Sequence, residues 1–572
     1  MFEDSIFVNL KTMLGKFFDK ILHDEEELAY ELKEEEKPRP RKFSKKDIII
    51  GLLIFISALA LRLLFLFFVA NPQNAGDGWY GDVYHHWQIG FLTKEIGLSH
   101  SFLRLWDLKG MEYFWGPFHP LLLTLLFALT GSISIVIPRI LSIAFGGLLL
   151  VLVYFVATKY WNRWVGMGAA FLGIVNPVAI FNDTSGMLEP IGYAFLLAGV
   201  LLVESAPLAA GFIWAISTLV RAESWLFSVF LIFVVIITRM LKRSGDAAKL
   251  ILGFAIPMLL YMKYLLDHTG NAIYPFWWNY LANAKGVWAE GIYRPLSAYQ
   301  LSVRPYLLVW GAISLALLLF TLWKKPKGGL MLSFGFVVWA FLGGFFGATH
   351  YLTGFETWFW YIRFFVFPYI FLGLLVSLFF FYIIPKVNRH LSHMVAYLGL
   401  ALPILIIGVL IQLVWNPILS EYHKTDWVWE RTLSWGKETG EFYKGGKVLI
   451  PEGYPSYTYS LAYYGHVQGK DILGQMFDPF YYMKPGYFDD WEKNRKVVLG
   501  WIKKEDIRLL VADTTVLHVG PTAIDNRRYL TLIQKEPQLF TKVGILGSGP
   551  GSTQEILGIY DVHPELIHLD ED

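Results

Sequence analysis

The chain has 572 residues, of which 55% are hydrophobic and only 17% charged, against about 25% charged in soluble domains, and its mean hydropathy is +0.44. A net charge of +2 from 49 basic and 47 acidic side chains gives no general phosphate-binding surface, which argues against a nucleic-acid partner. The absence of cysteine removes disulfide frameworks, thiol nucleophiles, Fe–S clusters and cysteine-type zinc sites. Aromatic residues make up 17% of the chain, with 22 Trp and 31 Tyr, as suits rings placed at membrane interfaces or against sugars. The composition predicts a polytopic α-helical membrane protein.

Residues 1–47 contain no long apolar run and no signal-peptide pattern, so they are expected to form a cytoplasmic N-terminal segment. Ile6, Phe7, Leu10, Leu14, Phe17, Phe18 and Ile21 recur at helical spacing, which fits an amphipathic helix lying on the membrane or docked on the protein. The basic stretch Lys37–Lys46 then pins the N-terminus inside.

A transmembrane region is expected over 48–416. Runs able to cross about 30 Å of hydrocarbon lie near 48–70, 133–158, 164–181, 248–266, 305–323, 329–348, 360–384 and 394–415. The apolar stretch 190–238 is interrupted at Glu204–Pro207 and Arg221–Glu223 and reads as three short crossings, giving about eleven spans. The run 118–130 is too short to cross and reads as a surface or re-entrant helix. With that choice, Lys159 and Arg163, Arg239 with Lys242 and Arg243, Lys324–Lys327, and Lys386 with Arg389 all fall inside. Beyond 417 the chain turns polar: strands are expected at 447–450, 507–513 and 556–562, and helices near 427–441, 487–503 and 526–537. Residues 417–572 are therefore expected to form an extracytoplasmic α/β domain that shapes acceptor access and supplies no catalytic group.

Unusual polar groups at span edges gather on the outer side. The first outer loop carries Asp77, Asp82, Tyr84, His85 and His86, and the second carries Asn182, Asp183 and Glu189. Four cations share that depth: Arg139, Arg221 beside Glu223, Lys263, and Arg363. Ionisable groups inside spans usually face a cavity or a partner; these arginines could alternatively reach headgroups or pair with Glu223 or Glu356. Adjacent His85 and His86 do not have zinc-ligand spacing. Asn182–Thr184 matches an N-glycosylation acceptor triplet but lies against a span. Carboxylates and cations together at an outer membrane face suit the transfer of a sugar from a phosphate-linked lipid. Cations stabilise the departing phosphate, a carboxylate takes the acceptor proton, and aromatic rings stack on the sugar.

The ordered motifs Asp82-x-Tyr84, Gly116-Pro117-x-His119-Pro120-Leu121-Leu122, Pro138-Arg139-x-Leu141-Ser142, Asn176-Pro177, Met187-x-Glu189-Pro190, Arg221-x-Glu223 and Arg363-Phe364-x-x-x-Pro368 resemble the C-type glycosyltransferase (GT-C) superfamily. The likeness is greatest to its protein O-mannosyltransferase and lipid A aminoarabinose transferase branch, over roughly 48–385. That resemblance implies a polyprenyl (dolichyl-type) phosphate sugar donor, a protein or lipid acceptor, an inverting single displacement and a catalytic acid at Asp82. Val83 departs from the Asp-Glu pair frequent in the branch, which keeps Asp77 as the alternative acid.

The expected catalytic residues are Asp82 and Glu189. Arg139, Arg221, Arg363 and Lys263 are expected to hold the donor phosphate, and Asp77, Tyr84, His85, Asp183, Glu223 and Glu356 to line the substrate site. No cofactor is required on this reading. The related oligosaccharyltransferase catalytic subunit implies an alternative in which Asp82, Asp183, Glu189 and Glu356 hold a divalent ion such as Mg²⁺ or Mn²⁺. Its WWDYG motif has no counterpart after 417, where Trp427-Val428-Trp429-Glu430 is nearest. A transporter or lipid flippase is the second alternative, disfavoured by the absence of matching interrupted halves.

Overall fold

A computed structural model describes residues 43–73, 82–96, 115–277, 298–326, 328–353, 366–387, 432–450, 455–474, 491–513, 530, 532–547 and 555–569. Two compact units divide the chain, 1–46 and 47–572, and every element below belongs to the second apart from the first two residues of α1. The expected helix within 1–47, the span 394–415, and Asp77, Glu356 and Arg363 lie outside the described residues.

Helix α1 (Lys45–Phe68) leaves Ile48, Ile49, Leu52, Leu53, Ile56, Leu64, Phe67 and Phe68 more than half exposed. So large an apolar face would aggregate in water but suits lipid. Five helices among the described residues are long and apolar enough to cross a membrane: α1, α4 (Val136–Tyr160), α9 (Glu223–Val235) continued to Met240, α10 (Ser244–Thr269), and α13 (Val366–Leu378) continued to Ile383. A bent pair, α5 (Arg163–Ile174) and α6 (Pro177–Thr184), makes a sixth if counted as one span.

That pair corrects the expectation of an unbroken span over 164–181. The chain turns by 61° between the two helices. Asn176 caps α6 by accepting from the Val178 and Ala179 backbone N–H groups, and Pro177 occupies the first helical turn; a proline there has no N–H to give the preceding helix. The stretch read as three short crossings comprises α7 (Glu189–Leu202), α8 (Pro207–Thr218) and α9, with breaks at the charged and proline positions; of these only α9 with its continuation is among the five long enough to cross, α7 and α8 being shorter apolar helices. Helices α8 and α10 meet backbone to backbone: a Cβ on Gly211 would lie 2.2 Å from the Leu250 carbonyl oxygen, and one on Gly253 2.2 Å from that of Leu208. Small residues permit such contact where the hydrophobic effect drives no helix association.

Two shorter helices border one end of these. Part of the first outer loop is helix α2 (Asp82–Ile96). Residues 118–130 form α3 (Phe118–Thr130), 13 residues closed by left-handed Gly131. Farther along are α11 (Ala298–Lys324) and α12 (Gly329–Thr353).

The C-terminal part holds α14 (432–442), α15 (Pro455–Tyr463), α16 (Trp491–Glu505) and a five-stranded sheet. Strands β1 (Lys447–Ile450), β2 (Ile472–Gly474), β3 (Ile507–Asp513), β4 (Phe540–Gly547) and β5 (Glu555–Val562) lie in the order β2-β1-β3-β5-β4. β1 is parallel to β2 and β3, while β5 runs antiparallel to β3 and β4. Alternation divides the side chains. Val448, Ile450, Leu509, Val511, Leu557 and Ile559 join the hydrophobic core that continues into the apolar helices. Leu449, Leu510, Ala512 and Val562 pack instead with Val498, Leu499 and Ile502 of α16.

Candidate active site

Helix α4 carries Lys159 in its last turn and Arg139 in its first. At the Lys159 end, Glu204 pairs with both Lys159 and Arg239, and Asp47 pairs with Arg163. The opposite end carries the groups expected to do chemistry.

There, the turn between α6 and α7 is held from three directions. Arg62, buried within α1, donates from Nε to Asp183 Oδ2 at 2.6 Å and from Nη1 to the Ala58 and Ile174 carbonyls. Arg139 donates from Nε to the Thr184 carbonyl at 2.6 Å and from Nη1 to the Asn71 and Pro72 carbonyls. The Ser142 hydroxyl donates to the Met187 carbonyl at 2.8 Å. Gly186 crosses at φ +84°, and a Cβ there would lie 2.8 Å from Val83 and 3.3 Å from Arg139, so both the backbone conformation and the close approach call for glycine.

This turn delivers Glu189 to the first turn of α7, where the helix dipole favours a carboxylate. Arg221, in the break between α8 and α9, reaches Glu189 Oε1 from Nη1 at 3.0 Å and Glu223 Oε1 from Nε at 2.5 Å. All three are at least nine-tenths buried. Burial keeps water from screening these contacts, so the two carboxylates hold the guanidinium in a fixed orientation.

Asp82 opens α2 and is half-buried. Its neighbour Val83 touches the Gly186 turn, and Ile89 one side further along packs with Trp115, Leu188, Ile191 and Val220. Those last three flank Glu189 and Arg221, so the helix of Asp82, the second-loop turn and the α8–α9 break are gathered at one end of the bundle. His86 lies edge-on to Trp115 at 4.4 Å and to His119 at 5.3 Å, and His85 is 5.8 Å from Trp115. Burial pushes His119 down to about 3 from its ordinary 6.5, and His85 down to about 4, against the opposing charge of Asp82. Both imidazoles are thus neutral at physiological pH.

A buried histidine that resists protonation ties stability to pH with a definite sign. The unfolded chain takes up the proton near 6.5 while folded His119 does not until about 3, so its contribution is complete above 6.5 and is lost as pH falls through that window. The slope is about 1.4 kcal/mol per pH unit for one group. Unfolding midpoints between pH 7 and 4 should therefore fall more steeply in the wild type than in His119→Leu, and parallel lines would contradict this.

The other expected site residues are placed differently. Tyr84 is fully buried, 5.5 Å from the ring of Tyr459 in α15. Lys263 is exposed on α10 and pairs with Asp267 one turn away at 2.8 Å. Tyr193, one turn below Glu189, stacks on Phe367 at 4.9 Å, which brings the start of α13 beside α7, four residues after Arg363 in sequence.

No family model and no curated protein matches the sequence. Among solved structures, the chain is similar to the Archaeoglobus fulgidus oligosaccharyltransferase in its apo form, at 12% identity and a TM-score of 0.47, over 82% of this chain and 69% of that one. It is similar to the same organism's oligosaccharyltransferase AglB in complex with an inhibitory peptide and a dolichol-phosphate, at 13% identity and a TM-score of 0.47, over 92% and 75% of the two chains. A third similar structure, the complex with Zn and sulfate, gives 14% identity and a TM-score of 0.45, over 91% and 74%.

Among the described residues no three His, Asp or Glu side chains converge as a metal site. Of the four acids considered as ligands, Asp183 is engaged by Arg62 and Glu189 by Arg221. Glu356, the last of the four, lies outside the described residues. Sequence reasoning missed Arg62, and it named Ser142 and His119 only within motifs. Arg62 had a visible signal: a lone cation inside a 24-residue apolar helix is costly unless paired.

Proposed function

We propose that the chain is a multi-pass membrane glycosyltransferase that moves a sugar from a polyprenyl phosphate to a protein or lipid acceptor, with inversion. The observation that carries this reading is the buried Glu189–Arg221–Glu223 group beside the turn that touches the helix of Asp82. The motif order along the sequence supports the same reading.

In the proposed step an acceptor oxygen or amide nitrogen attacks the anomeric carbon while the bond from that carbon to the phosphate oxygen breaks. The bonding pair leaves with the polyprenyl phosphate, and the acceptor proton passes to the Asp82 carboxylate. Arg221 faces the departing phosphate, aided by Arg363. A guanidinium carries five donors in a rigid fork, and the two carboxylates set its orientation. Arg139, whose Nε and Nη1 go to backbone carbonyls, adds positive charge while holding the turn. Glu189 orients Arg221, and Asp183 is tied to Arg62. The end bearing Lys159, Arg163 and Arg239 is assigned to the cytoplasm with the N-terminus, because basic residues are retained there; Asp82 and the C-terminal sheet are then extracytoplasmic.

Membranes containing the protein, incubated with radiolabelled polyprenyl-monophosphate sugars, should transfer label to an acceptor, and chelator should change the rate little. Loss of transfer on chelation with recovery on Mn²⁺ or Mg²⁺ would favour the oligosaccharyltransferase-like alternative with a pyrophosphate donor. Label crossing the bilayer without leaving its lipid would instead identify a flippase.

A further inference from the structure

The catalytic helix itself needs a support. Helix α2 presents Tyr84, Trp87, Phe91 and Glu95 on one face, at the 3, 4 and 4 residue steps of a helical stripe. That face meets the C-terminal part. Tyr459 lies 5.5 Å from Tyr84 and edge-on to Trp87 at 5.0 Å. A Cβ on Gly469 would sit 2.8 Å from the Phe91 ring and 3.1 Å from Glu95. The opposite side rests on α3, where a Cβ on Gly90 would come within 2.8 Å of Leu123 and Thr124 Oγ1 donates to the Gly90 carbonyl at 3.1 Å.

Tyr459 has a second attachment. Its phenol oxygen accepts the Ile135 backbone N–H at 3.3 Å, at the start of the helix that bears Arg139 four residues later. Trp87 reaches the same segment, donating from Nε1 to the Ile133 carbonyl at 2.6 Å. Behind it, Tyr463 stacks on Tyr459 at 5.2 Å. One buried ring thereby joins the helix opened by Asp82 to the helix whose arginine holds the Thr184 carbonyl.

We infer that Tyr459 is a positioning residue for Asp82, fixing α2 against the start of α4 so that the carboxylate keeps its place relative to the Glu189–Arg221 group. This rests on the proposal that Asp82 is the base. It also changes the expected part played by the C-terminal region, from shaping acceptor access alone to supporting the chemical step. Misplacing a reacting group by about 1 Å can cost ~10²-fold in rate.

The test is a double-mutant cycle in the full-length protein, reading kcat and donor KM at a temperature where each variant is folded. Tyr459→Leu, which keeps an apolar volume, should lower kcat about 10- to 100-fold with little change in donor KM, and Tyr459→Phe, which keeps the ring against α2 but loses the Ile135 hydrogen bond, should recover only part of that loss. In an Asp82→Asn background Tyr459→Leu should cost little more, because the group it positions is gone. Undiminished kcat in Tyr459→Leu, or an equal fold-loss in both backgrounds, would overturn the inference. Wild-type turnover in Asp82→Asn alone would instead overturn the assignment of the base, so the two failures are distinguishable. Should Tyr459→Leu not fold, Trp87→Phe, which removes the Ile133 hydrogen bond, replaces it with the same expected split.

Discussion

Asp82→Asn should lower turnover by about 10² to 10⁴, the range lost when a general base is removed, while unfolding temperature changes little. The side chain opens α2 and is half-buried. The anchors of that helix are Tyr84, Trp87 and Phe91, which an amide at position 82 leaves in place. Asparagine keeps the size and can still cap the helix, but it accepts no proton. Donor KM should stay near its wild-type value, because the base acts on the acceptor. Near wild-type turnover in purified Asp82→Asn would move the assignment to Asp77.

Removing Arg221 has a different expected outcome, in stability as well as rate. Its Nη1 and Nε contact Glu189 and Glu223, and all three groups are buried. Arg221→Met removes the cation that both carboxylates contact, and breaking a buried pair by removing one partner typically costs about 3–5 kcal/mol. Adding Glu223→Gln should return part of that stability by removing one of the stranded charges. Arg221→Lys separates the second role, since an ammonium keeps the charge but not the planar fork. It should retain much of the stability while weakening donor binding and lowering turnover. Thermal unfolding and donor titration of the three variants check this, and wild-type donor kinetics in Arg221→Lys would make Arg221 a purely structural anchor.

Where sequence and fold agree, a local signal was sufficient. The breaks at Glu204–Pro207 and Arg221–Glu223 fall where charges and proline interrupt apolar runs, and α3 ends at the Gly131 turn. Asn176-Pro177 also held a legible break, a cap followed by a proline at the first helical position, yet the apolar run on both sides concealed it. Helix α2 was harder. It packs against α3, the second-loop turn and α15 at once, so buried side chains such as Val83, Ile89 and Leu92 lie beside the Tyr84–Trp87–Phe91 stripe and blur its period. Strand β4 was missed because Lys542, Gly544 and Gly547 dilute its pattern, and β2 because it has only three residues.

The candidate site divides in the same way. Arg221 with Glu223 is a pairing two residues apart that sequence could propose. The Arg221 contact with Glu189 spans two helices, and the Arg62 pairing with Asp183 spans 121 positions; neither distance leaves a trace in spacing. The aromatic contact of Tyr84 with Tyr459 depends on where the C-terminal part folds back, which motif order along the first 385 residues does not encode.

The central claim is that the end of the bundle bearing Asp82 transfers sugar from a lipid phosphate. The most direct measurement places purified protein in liposomes with a polyprenyl-monophosphate sugar labelled in both sugar and lipid. Label reaching the acceptor and free polyprenyl phosphate are then counted together. Equal amounts of transferred sugar and released lipid phosphate are predicted, both reduced at least ~10²-fold in Asp82→Asn. Release without matching transfer, or a yield that Asp82→Asn leaves unchanged, would contradict the account.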